Sequence, residues 1–184
     1  MEFSGYSTLW KAIIRPPRAK YTVANLGPYE FQLNGVRVCR TDFTVKNKRG
    51  LKFVCSHFEP LECDRRWKEM PCVIYMHGNS SCRMEALDCI PYILPSNMTL
   101  CCLDFPGCGL SDGEYISLGF YERDDIEALI DFLREHRNAT TIGLWGRSMG
   151  AVTALMHGDR DPSIAGMVLD SPFSDLKTLV IELG

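Results

Sequence analysis

The chain has 184 residues, of which 46% are apolar and 23% charged, with a formal net charge of −3. That length suits a single core, and the balance excludes both a disordered chain and one drawn by bulk charge to nucleic acid or an anionic membrane. No stretch approaches the roughly 18 apolar residues of a membrane-spanning helix, so any membrane contact would be peripheral.

Residues 1–35 read as an N-terminal arm. Trp10, Ile13 and Ile14 form a short amphipathic stretch, which Arg15-Pro16-Pro17-Arg18 stops and extends. The basic residues Lys11, Arg15, Arg18 and Lys20 fit an anionic surface or, more simply, a solvated connection. The start of the chain lacks the apolar core of a signal peptide. The nine cysteines are odd in number and lack paired metal spacing, which makes a cytoplasmic setting with inert buried thiols the simplest expectation.

From residue 36 to 184 the pattern is that of one α/β domain. The runs VRVCRTDFTV and LKFVCSHF flank Lys46-Asn47-Lys48-Arg49-Gly50, which predicts an antiparallel hairpin opening a sheet. Continuous apolar runs at Cys72 to Met76 and Met98 to Leu103 predict strands covered on both faces. Ala86, Leu87, Ile90 and Ile93 have helical spacing, as do Ile126, Leu129, Ile130 and Leu133. A further strand is expected from Thr141 to Trp145, then a helix from Ala151 to about Met156 and a strand from Ala165 to Leu169. Alternating strand and helix predicts an open, mostly parallel sheet with right-handed crossovers. The apolar stretch from Leu176 to Leu183 stands where such a fold would be expected to continue.

The sharpest motif is Gly146-Arg147-Ser148-Met149-Gly150, a G-x-S-x-G pentapeptide between a predicted strand and a predicted helix. A serine at the tip of a tight strand-to-helix turn is exposed, and glycines two residues either side let the flanking elements approach. Ser148 is therefore the candidate nucleophile. Its position at a helix start directs free amides at a developing oxyanion, with the Met149 N–H as first donor. Upstream, Tyr75-Met76-His77-Gly78-Asn79-Ser80 closes an earlier strand. There Gly78 is expected to make a tight turn that points the Asn79 N–H into the same cleft, as second donor. His77 reads as a structural residue bonding this loop in preference to a general base. Asp104-Phe105-Pro106-Gly107-Cys108-Gly109-Leu110-Ser111-Asp112-Gly113 forms a third loop, read as a cleft wall because no phosphate-binding glycine pattern is present.

HGNS, DFPGCGLSDG, GRSMG and LDSPFSDL, in this order, resemble the serine aminopeptidase-like branch of the α/β-hydrolase superfamily, over roughly Phe43 to Leu183. The resemblance implies a Ser148 nucleophile and backbone oxyanion donors at Asn79 and Met149; with no ligand cluster or phosphate loop in the sequence, no cofactor and no metal are expected. It implies a small-molecule, acyl or peptide substrate cleaved at an ester, thioester or amide through an acyl-serine intermediate. In such folds an acid and then a histidine follow the serine. Here His157, at about 1.5 Å per helical residue, lies roughly a dozen ångströms along the nucleophile helix. The general base is thus without a candidate. Asp170 stands at one of the places where such enzymes carry the acid, although a carboxylate that braces the loop fits the LDSPF context equally. Two readings follow: the N-terminal portion of a serine hydrolase, whose remaining strands and histidine lie beyond Gly184, or a hydrolase-fold binding or scaffold protein without catalysis. A chain complete at Gly184 would be expected to expose the Ala165 to Leu169 strand, with poor solubility or dimerisation.

Overall fold

The computed structural model describes residues 14, 15 and 17–175. The amphipathic stretch around Trp10 and the apolar stretch over 176–183 lie outside the described residues. Among the described residues seven strands form one sheet: β1 (Glu30–Leu33), β2 (Val36–Lys46), β3 (Lys52–Pro60), β4 (Met70–Met76), β5 (Thr99–Leu103), β6 (Ala139–Arg147) and β7 (Ile164–Asp170), in the order β1-β2-β3-β5-β4-β6-β7. The first three pairings are antiparallel, and β5, β4, β6 and β7 run parallel. This is the expected α/β sheet, with its predicted hairpin at β2–β3.

Each face carries its own core. On one face Ile74, Met76, Cys101, Leu103, Ile142 and Leu144 pack with Ile126, Leu129, Ile130 and Leu133. Those four line the buried side of an α-helix, Glu122–His136, as their spacing predicted. Removing a side chain of this size from water stabilises by about 1.5–3 kcal/mol. The other face packs Val73, Tyr75, Leu100 and Cys102 against Ala86, Ile90, Ile93 and Leu94.

The second covering segment differs from the single helix expected there. It is a 3₁₀ run, Arg83–Cys89, then one α-turn (α1, Ile90–Ile93), then a 3₁₀ turn, Leu94–Ser96. Pro91 and Pro95 have no N–H to give, so an unbroken i→i−4 ladder cannot form. The longer helices are then α2 (Glu122–His136) and α3 (Met149–Gly158). Strand β1 was not expected either, for it falls in the stretch read as an arm. Asn34 and Gly35 both have positive φ, 51° and 82°, as a two-residue primed turn requires.

The hairpin turn is anchored on α2. Asn47 Nδ2 donates to Asp125 Oδ1 at 2.6 Å, and Arg49 donates to both carboxylate oxygens at 3.0 and 2.8 Å. Burial pushes the Asp125 carboxyl up to about 6, against the pull of Arg49. At the other edge β7 pairs with β6, and Met167, Val168 and Leu169 are exposed. No described helix is long and apolar enough to cross a membrane.

Candidate active site

Strand β6 delivers Ser148 to the C-terminal edge of the sheet, where it caps α3 with φ 50° and ψ −111°. A side-chain-bearing residue holds this backbone only when its surroundings enforce it. The enforcement is visible at the two glycines. A Cβ on Gly146 would lie 2.2 Å from the backbone carbon of Gly150, and one on Gly150 would lie 2.1 Å from the Met76 carbonyl oxygen. Helix α3 therefore starts against the end of β4 at a distance that only hydrogen atoms permit. The Ser148 N–H donates to the Asp170 carbonyl at 2.7 Å, which ties the elbow to the last residue of β7. Met149 is the first residue of α3, where N–H groups have no intrahelical acceptor.

The turn after β4 meets this elbow. A Cβ built on Gly78 would lie 3.7 Å from the Arg147 carbonyl oxygen and 3.8 Å from Ser148 Cβ. Those are ordinary contacts, and positive φ falls on Ser80, at 62°, instead of on Gly78. A tight turn does open at Gly78, closed by the Ser81 N–H on its carbonyl at 3.3 Å, but its positive φ is carried by Ser80.

His77 does what a structural residue does. Its Nδ1–H donates to the Gly78 carbonyl at 2.7 Å, and its Nε2 accepts the Phe105 N–H at 3.1 Å. One nitrogen must donate and the other accept, so the ring is neutral. Full burial lowers its pKa accordingly. The Ser81 N–H also donates to the Gly78 carbonyl, at 3.3 Å. In a trans peptide the C=O and N–H point opposite ways, so fixing the Gly78 carbonyl turns the Asn79 N–H away from His77 and Ser81.

The third loop is organised by Asp104, which is fully buried. It accepts hydrogen bonds from the Arg83 N–H at 2.7 Å, the Leu110 N–H at 2.8 Å and the Tyr21 hydroxyl at 2.6 Å. Arg18 donates to the carbonyls of Gly109, Ser111 and Gly113. Arg18 is thus a brace for this loop, while Arg15 makes an exposed pair with Glu114.

None of the four histidines is placed at Ser148. His57 sits in β3 with Nε2 3.9 Å from the Cys72 thiol and Nδ1 3.4 Å from Arg137 Nε, and burial lowers its pKa to about 3. His136 ends α2, beside the start of β6, and the nine residues of β6 separate that end from Ser148 by about 30 Å at strand rise. His157 Nδ1 lies 3.1 Å from the Arg123 carbonyl and Nε2 3.2 Å from Asp161. The Asp170 carboxylate is half exposed, receives the Ser171 hydroxyl at 2.7 Å and lies 3.9 Å from Arg147 Nε. Sequence reasoning missed Glu85, whose carboxylate accepts the Gly78 N–H and pairs with Arg147 across the two turns.

The family described as serine aminopeptidase, S33 matches residues 69–183. An uncharacterized protein of Bacillus subtilis (strain 168), YqkD, is 31% identical over 138 residues, which are 73% of this chain and 43% of that protein. Among solved structures, the Pyrococcus furiosus esterase Pf2001 superposes with a TM-score of 0.67 at 24% identity, over 86% of this chain and 58% of its own. A cold-adapted esterase from an Arctic intertidal metagenomic library gives 0.59 at 18% identity, over 76% and 62%. The chain thus spans about half the length of the relatives it matches.

Proposed function

The chain belongs to the serine aminopeptidase S33 family of α/β-hydrolases, and from that premise we propose that it carries the nucleophile side of a serine hydrolase site acting on esters, thioesters or amides. Ser148 Oγ attacks the acyl carbon, a base takes its proton, and the tetrahedral oxyanion is received by the N–H groups of Met149 and Asn79. The leaving alcohol, thiol or amine departs protonated, and water then releases the acid from the acyl-serine. The observation that carries this reading is the Ser148 backbone, held at φ 50° by two glycines that tolerate no Cβ. The esterases among the structural neighbours favour an acyl substrate. We place the protein in the cytoplasm, a reading supported by nine free cysteines, most of them buried.

A second reading, a binding protein on the same fold, is favoured by one observation: the four histidines are all engaged elsewhere. Labelling of the 184-residue chain with a fluorophosphonate decides between them. Rapid labelling that disappears in Ser148→Ala is expected for an activated serine. A folded chain that stays unlabelled would sink the catalytic reading for this form.

A further inference from the structure

We infer that Glu85 is a positioning residue for the oxyanion site, locking the turn that carries Asn79 to the elbow that carries Ser148; this rests on the reading of Asn79 and Met149 as oxyanion donors. Glu85 lies in the 3₁₀ run that follows the turn, and its own N–H is fixed to the Cys82 carbonyl at 3.2 Å. Its side chain is 17% exposed. Oε2 accepts the Gly78 N–H at 3.2 Å and the Tyr75 hydroxyl at 3.3 Å, while Oε1 accepts Arg147 NH1 at 3.2 Å.

One carboxylate therefore holds the strand that enters the turn, the turn itself and the residue before the nucleophile. Gly78 is fixed on both sides, its N–H by Glu85 and its carbonyl by His77 and Ser81. The peptide between Gly78 and Asn79 has little freedom left to rotate, and the Asn79 N–H inherits that orientation. An anion developing nearby would be repelled by a bare carboxylate, and the Arg147 guanidinium offsets that charge. A simple surface ion pair would share the Arg147 contact but would not need the Gly78 amide.

This difference is testable by hydrogen exchange and amide NMR on the full chain carrying Glu85→Gln or Glu85→Asp. Glutamine keeps an oxygen at the right reach and loses the charge; aspartate keeps the charge and withdraws it by one methylene. Positioning through the Gly78 N–H predicts that Glu85→Asp speeds Gly78 amide exchange at least about tenfold and shifts the Asn79 and Met149 resonances, while Glu85→Gln stays close to the parent. Any other pattern overturns the proposal, including aspartate behaving as the parent while glutamine loses protection. Fluorophosphonate labelling of the parent and of Ser148→Ala, run on the same preparations, tests the hydrolase reading separately, since the amide result does not depend on a reactive serine.

Discussion

Two turns meet at Ser148 and are held by opposite means. The elbow at Ser148 is held by the absence of atoms: Gly146 and Gly150 let backbone meet backbone, and no side chain caps the helix. The turn at Gly78 has room around its glycine and is fastened by polar side chains, His77 and Glu85. The first arrangement is sensitive to volume and indifferent to acid. The second tolerates volume and depends on His77 staying neutral.

The largest expected effect is on the elbow. Gly150→Ala should cost about 3 kcal/mol or more, because the Met76 carbonyl it would strike is backbone and cannot swing aside. Urea denaturation measures this, and a variant as stable as the parent would show that α3 can slide off β4. His77→Leu comes next, at about 2 kcal/mol, since it strands the buried Phe105 N–H; a loss below half of that in the same assay would mean the turn is fastened elsewhere.

Acid should weaken the His77 part of that fastening and, away from the turn, the buried His57 in β3. His77 and His57 are both neutral when folded, with pKa values lowered from 6.5 by burial. Their contribution is complete above the unfolded value and is lost as pH falls below it, because the unfolded chain then binds the extra protons. For His57, lowered to about 3, a drop to pH 5.5 costs about 1.4 kcal/mol. Asp125, raised to about 6, gains a proton in the folded state over the same range and offsets part of this. Stability curves at pH 7.5 and 5.5 should therefore diverge less in His77→Gln than in the parent. Equal slopes would remove His77 from the buried neutral set. The smallest effect is Gly78→Ala, expected within about 0.5 kcal/mol of the parent. A loss as large as that at Gly150 would erase the contrast between the turns.

The same contrast explains what the amino-acid sequence made legible. Close-packed backbone leaves a local signature, so Gly146, Ser148 and Gly150 were readable within five residues, and β4, β5 and β6 within continuous apolar runs. The polar fastening joins residues far apart: Glu85 meets Gly78 and Arg147, and no spacing rule anticipates a contact 62 positions away. His77 was read as structural because its motif placed it at a strand end, yet its partner Phe105 was not foreseeable. Two misreadings had signals in plain view. Asn34-Gly35 between apolar pairs announces the β1–β2 turn, and Pro91 and Pro95 forbid the uninterrupted helix that apolar spacing suggested.

The hydrogen bond from the Ser148 N–H to the Asp170 carbonyl extends the β6–β7 ladder by one rung into the elbow itself. Strand β7 is exposed along most of its length, and edges with few buried contacts open before the rest of a domain does. Peeling of that edge would release the strained serine backbone while the remaining sheet stays folded. Exchange of the Ser148 amide measured in mild denaturant would then act as a gauge of local fraying, losing protection at concentrations well short of global unfolding.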